Sequence, residues 1–311
     1  MYAVYDRNRQ RAEATARKFG IPVCHNDMDA FLNEGLDIVS ICTPPWTHCA
    51  LALQALERGC HVLTEKPMAM SSEEAKAMIK AADKEGKILC VSHNFKFSRS
   101  MLKVISLLER GDVGEIQSVI GFQLSSPSRR LPSWYPRLPG GLFFDESPHL
   151  IYLMRQLLGR LHVEFASSVQ ATSGDQPLAH VQANLSGQAG SGVLTMSFLA
   201  PVSEWIMVVV GSKRVLIIDI FRDIVTILRS DDSHSPRDVL FSSLRFALGL
   251  GKGFLGSGSL YARGRLLYGH DVLIRRFVDS VRGDGDPPVP ASEGVEVVGV
   301  MEEILRKAAV R

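Results

Sequence analysis

Short apolar runs alternate with helical stretches from Met1 to Ser92, and that order leaves few ways to fold. Asp37-Ile38-Val39-Ser40-Ile41-Cys42, His61-Val62-Leu63-Thr64 and Ile88-Leu89-Cys90-Val91-Ser92 have the length and β-branched content of buried strands. Between them the pattern predicts a helix from about Thr47 to Arg58, stopped by Gly59, and another opening at Ser71-Ser72-Glu73-Glu74. Ser71 and Glu74 have the spacing of a capping box. Ahead of these, Met1 to Asp6 reads as a strand and Arg9 to Phe19 as a helix ending at Gly20. Strands joined through helices run parallel, with helices on both faces of the sheet, so the chain opens as an α/β domain.

Glu65-Lys66-Pro67 follows directly on the strand His61–Thr64. An ammonium is thereby set at the carboxyl end of a parallel strand, where open α/β sheets build their ligand crevices. Its charge there can stabilise a developing alkoxide or polarise a carbonyl. Downstream, Gly140-Gly141 opens a helix that carries Asp145 and His149 four residues apart, on one face. An imidazole titrates near neutrality and suits a proton acceptor or donor. Asp145 either orients that ring or binds a substrate hydroxyl; a carboxylate satisfying the helix N-terminus is the bland reading. A cation, a base and an acid are enough for proton-coupled hydride transfer.

Beyond Ser92-His93-Asn94 the periodicity changes, which predicts domains at 1–93 and 94–311. The second opens with a helix over Met101–Arg110 and a strand over Ile116–Leu124. A loop rich in Ser, Pro and Arg, 125–139, precedes the helix with Asp145 and His149. Strands follow at 180–187, 192–199, 205–211, 215–220 and 224–228, joined by short turns such as Gly211-Ser212-Lys213, and a last helix covers Glu293–Ala309. This is an α+β domain with an open, mainly antiparallel sheet. Gly251-Lys252-Gly253-Phe254-Leu255-Gly256 fits the dinucleotide glycine pattern. It has no buried strand before it and no suitably placed acid after it, so it reads as a surface loop.

The 311 residues, 46% of them hydrophobic, suffice for two cores. A net charge of +2 with mixed signs predicts neither a nucleic-acid nor a membrane partner, and no run approaches roughly 18 uninterrupted apolar residues. The five cysteines lack Cys-x-x-Cys spacing and read as buried reduced thiols, and no metal cluster is expected. A cytoplasmic location follows as an expectation.

Taken together, Thr43-Pro44-Pro45-x-x-His48, Gly59-x-His61-Val62-x-x-Glu65-Lys66-Pro67, Ser92-His93-Asn94, Gly111-x-x-Gly114-Glu115-Ile116 and Gly140-Gly141-x-x-x-Asp145-x-x-x-His149 resemble the Gfo/Idh/MocA oxidoreductases over essentially the whole chain. The resemblance implies a Rossmann-type first domain and NAD as cofactor, with NADP as the alternative. It also implies hydride transfer to or from a secondary alcohol or ketone of a sugar, cyclitol or related polyol.

In that frame Asp6 matches the acid that binds the adenosine ribose, Thr43, Pro44 and His48 stand on the cofactor side, and Glu65 with Lys66 lies near the nicotinamide. Ordinary turns account for Thr43 and Pro44 as well, and a polar contact at the helix start for His48. Asn94 and Lys96 line the cleft for substrate, and Trp134 shapes the pocket from the preceding loop. Tyr152 departs from the family, which commonly has an acidic or amide residue there. A homodimer or homotetramer through the second sheet is implied.

The chain begins at what matches the family's second strand, so the first strand and its glycine turn are missing. Either the protein starts upstream, which is the favoured reading, or its sheet is re-paired. Two other functions compete: a binding or regulatory homologue without nucleotide, and an NAD-assisted lyase or glycosidase.

Overall fold

In the computed structural model, residues 1–172, 174–229, 235–264 and 268–308 are described. The first unit runs β1 (Ala3–Tyr5), α1 (Arg9–Phe19), β2 (Val23–His25), α2 (Met28–Leu32), β3 (Ile38–Ile41), α3 (His48–Glu57), β4 (His61–Thr64), α4 (Ser72–Glu85) and β5 (Leu89–Val91). Local chemistry sets the helix ends. Asn8 caps α1 by accepting from the Arg11 amide, and Gly20 closes it at φ 65°. Ser71 accepts from the Glu74 amide at 3.1 Å, but the Glu74 carboxylate takes the amide of Met70, one residue earlier than a capping box requires. β2 and α2, three and five residues long, are too short to give a readable period.

β1 pairs only with β2, and β3, β4 and β5 form a separate parallel sheet. The two sheets nevertheless border one core: Ala3 and Tyr5 pack against the cluster that includes Val39, Ile41 and Val62.

The second unit holds α5 (Arg99–Glu109), β6 (Ile116–Leu124), α6 (Leu142–Leu158), β7 (His162–Gln170), β8 (Leu178–Gly187), β9 (Gly190–Ser197), β10 (Glu204–Gly211), β11 (Arg214–Asp219), β12 (Ile224–Arg229), α7 (Pro236–Ala262), α8 (His270–Val281) and α9 (Ala291–Ala308). Its sheet has the order β12-β11-β10-β6-β9-β8-β7, antiparallel throughout except for the parallel pair β6–β9. α6 packs across this sheet, burying Phe143, Phe144, Leu150, Ile151 and Leu153.

Two expectations are corrected here. Gly251 to Gly256 is not a loop but lies inside α7. One of its glycines is steric: a Cβ on Gly253 would come within 2.5 Å of the Ile224 side chain on β12, whereas Gly251 faces open space. Cys24 and Cys42 are exposed rather than buried, although all five thiols are free. Ala309, the expected end of the last helix, lies outside the described residues.

The last helices return to the first unit. Leu273 and Phe277 of α8 and Val298 of α9 join the first core, while Val297, Met301 and Ile304 of α9 join the second. At the start of α9, Glu293 accepts from His93 Nδ1 at 2.7 Å, Lys96 Nζ at 2.6 Å and Arg155 Nη1 at 3.1 Å. Burial alone would raise its pKa; the His93 hydrogen bond and the nearby charges overcome this and hold it at about 2. His93 itself is pushed down by burial and stays neutral, so Lys96 and Arg155 supply the balancing charge.

Because the Glu293 pKa is depressed, its stabilisation is present above the ordinary value of 4.5 and is lost as pH falls from there toward 2. Glu293→Gln is expected to lower unfolding free energy at neutral pH by about 3 kcal/mol, measured by urea denaturation. The gap between variant and parent should close as the titration approaches pH 2.

Candidate active site

The carboxyl ends of β3 and β4 meet the N-terminal half of α6. Glu65 continues from β4, donating its amide to the Ile41 carbonyl at 2.9 Å, and its carboxylate accepts from the Lys66 amide at 3.2 Å. The Lys66–Pro67 peptide is cis. Lys66 Nζ donates to Asp145 Oδ1 and to the Asp145 carbonyl, each at 2.7 Å, with both side chains largely buried. Asp145 is thus the partner of Lys66 and does not orient His149.

That task falls to Tyr152. His149 Nδ1 lies 2.9 Å from Tyr152 Oη, which also accepts from the Phe95 amide at 3.2 Å and reaches Asn94 Oδ1 at 3.5 Å. A phenol that accepts from Phe95 and from His149 Nδ1–H, and donates to Asn94, satisfies every group in the set. This assignment, made from the network, leaves His149 Nε2 with a free lone pair. Phe95 and Trp205 wall the imidazole at ring separations of 5.0 and 5.1 Å. Burial, and then the Lys66 charge, push the His149 pKa well below its ordinary value, so the ring is neutral. Burial raises the Tyr152 pKa well above the phenol range, so it remains a donor.

Around the cofactor edge, His48 is buried with Nδ1 2.9 Å from the Pro67 carbonyl and Nε2 2.8 Å from the Thr43 carbonyl. Burial lowers its pKa, and the neutral ring donates to one of the two. It ties the end of β3 to the turn that carries Lys66. Thr43 Oγ1 bonds Thr47 Oγ1 at 2.6 Å, and Thr47 Oγ1 donates to the Pro44 carbonyl at 2.8 Å, so this turn is internally satisfied. Asp6 ends β1, one oxygen accepting from the Asn8 amide at 2.8 Å.

Asn94 donates to the Tyr268 carbonyl at 3.1 Å and stands behind His149. Lys96 Nζ pairs with Glu293 Oε2 at 2.6 Å. Trp134 packs edge-on against Trp46 at 5.8 Å, with the Arg137 guanidinium 5.4 Å from the Trp46 ring, which fastens the 125–139 loop beside the Thr43–Thr47 turn.

Sequence reading missed Tyr152 as the orienting group, and it missed Glu146. Glu146 is buried, accepts from Ser125 Oγ at 2.8 Å and from Gln123, and pairs with Arg129. The signal was there: a carboxylate on an otherwise apolar helix needs a cation, and Arg129-Arg130 in the preceding loop is the nearest source.

The donor set at the strand ends suits the sugar and nicotinamide portions of a dinucleotide. Asp6 offers a carboxylate for hydroxyls, and Glu65 and Lys66 flank the crevice. A glycine cradle for the pyrophosphate is not among these residues, since the Gly251–Gly256 string lies inside α7.

Residues 1–93 match the GFO_IDH_MocA family, described as an oxidoreductase family with an NAD-binding Rossmann fold, and residues 101–217 match the GFO/IDH/MocA C-terminal domain. D-glucoside 3-dehydrogenase of Escherichia coli (strain K12) is 37% identical over 117 residues, which span 37% of this chain and 33% of that protein. The NAD(+)-dependent scyllo-inositol 2-dehydrogenase of Bacillus subtilis (strain 168) is 31% identical over 160 residues, 51% of this chain and 46% of that protein. The chain thus covers between a third and a half of these two relatives. The WlbA dehydrogenase of Bordetella pertussis, crystallised with NADH and UDP-GlcNAcA, superposes with a TM-score of 0.81 at 21% identity over 99% of this chain and 88% of that one.

The His149 ring should titrate below 6.5 in an NMR pH series, and Lys66→Met should raise its midpoint, because a neighbouring cation is removed. A midpoint in the parent at or above 6.5 would contradict the burial of the ring.

Proposed function

The chain belongs to the Gfo/Idh/MocA oxidoreductase family, and on that premise we propose that it is an NAD-dependent dehydrogenase of a secondary alcohol on a sugar, cyclitol or related polyol, working in reverse as a ketone reductase. The observation that carries this reading is the largely buried Lys66–Asp145 pair beside a neutral histidine. The names of relatives that act on a glucoside and an inositol support the substrate class.

Asp6, Thr43, Pro44, Glu65 and Lys66 would hold NAD, which supplies the hydride acceptor when bound. The protein's part is proton handling and charge. Asp145 aims the Lys66 ammonium through two 2.7 Å bonds. That ammonium stabilises the substrate oxygen as negative charge develops on it.

His149 Nε2 takes the hydroxyl proton. A depressed pKa makes the imidazole a weak base, so proton transfer depends on Lys66 acidifying the alcohol first. Tyr152 and Asn94 hold the ring in the accepting tautomer, and Phe95 and Trp205 exclude water from its faces. Self-association through the second sheet and a cytoplasmic location belong to the same reading.

The test is a screen of glucosides, inositols and anhydrosugars with NAD, following NADH formation. One class should turn over, and Lys66→Met should lower kcat about 100- to 1,000-fold with NADH binding still measurable by calorimetry. Full activity in that variant would sink the assignment. A substrate consumed without net NADH would point instead to the lyase reading.

A further inference from the structure

α7 is unlike the other surface helices. Of the residues Pro236–Ala262 only Ser257 is buried. An 18-residue window within it has a mean hydropathy of 1.2 and at most two charged residues, and none of that window is buried, so by length and composition the helix could cross a membrane. Leu240, Phe241, Leu244, Leu248, Phe254 and Leu255 are 54–73% exposed. At helical spacing these six fall on less than half of the circumference.

The opposite side carries Gly249, Gly253 and Ser257 at four-residue intervals. They rest against Thr226, Ile224 and the Asp223 carbonyl at β12. That close packing fixes the back of α7 to the sheet, so the helix lies along a surface and does not span.

Charge sits at one margin of the apolar arc. Arg245 and Lys252 of α7 join Arg99, Lys103, Arg214 and Arg229 around a cavity of about 570 Å³. Asp223, the acid in that lining, is taken up by the amides of Arg99 and Ser100. Arg214 pairs with Asp112 at 3.1 Å. Among the described residues the other five cations have no carboxylate partner. Two copies docked through this face about a two-fold axis would set the cation cluster against itself. An anionic bilayer meets both halves, with phosphates for the cations and acyl chains for the apolar arc.

We propose that α7 and the adjoining basic cavity form a docking surface for anionic phospholipid membranes, holding the enzyme flat on the bilayer. The composition of the whole chain hides this, because a net charge of +2 averages over a localised cluster.

Flotation of the full chain with vesicles tests it. Binding to phosphatidylcholine mixed with an equal part of phosphatidylglycerol should exceed binding to phosphatidylcholine alone by at least about tenfold, and should weaken with salt. Arg245→Glu with Lys252→Glu, and separately Leu244→Ser with Leu255→Ser, should each cut vesicle binding about tenfold. These side chains are solvent-exposed, and an unchanged thermal midpoint would verify folding. The proposal is overturned if the parent protein ignores anionic vesicles, or if folded variants of both kinds bind as well as the parent. It is equally overturned if inorganic phosphate occupies the cavity without vesicle binding, or if the face proves to hold a second copy, seen as a dimer in sedimentation that Leu244→Ser with Leu255→Ser dissolves.

Discussion

One ion pair organises the candidate site: the ammonium of Lys66 on the carboxylate and carbonyl of Asp145, 79 residues away in sequence. With both side chains largely buried, the pair requires the strand end of the first unit and the N-terminal turn of α6 to meet. The rest of the constellation is arranged around that requirement. His48 clamps the turn behind Lys66, and Trp134 on Trp46 lays the loop across the same edge. The helix that delivers Asp145 also delivers His149, one turn on, into an aromatic box.

The same helix explains why the ring is held by a phenol. His149 and Tyr152 are three residues apart on a helix, so their side chains meet on one face. A carboxylate in place of Tyr152 would add a buried negative charge beside the His93–Glu293 cluster, where the Glu293 charge is already balanced by Lys96 and Arg155. A neutral donor and acceptor avoids that cost while stacking on His93 at 4.3 Å. The departure at Tyr152 therefore fits the electrostatics of this chain's own interior.

How far the sequence reached follows from where the determining forces lie. The placement of Lys66 at a strand end, and of Asp145 and His149 along one helix, was legible because strand ends and helix periods are local properties. The bounds of α1 and β6 were legible for the same reason. What escaped was decided by partners distant in sequence. The destination of Lys96 depends on Glu293, 197 residues away. The role of Tyr152 depends on a backbone amide 57 residues back. The glycines of α7 looked like a loop because glycine disfavours helix, and for Gly253 only the strand pressed against it shows why it is there. β7, with a broken alternation of burial, offered no clear period to read.

α9 contributes side chains to both cores, and α8 to the first. Neither hydrophobic interior is therefore complete without these two helices. Without Phe277 and Val298 the first unit keeps part of its apolar surface uncovered. A form in which α8 and α9 have come loose exposes apolar surface of both units at once and is open to association. α9 thus acts as a latch, and damage to that one helix is felt in two interiors together.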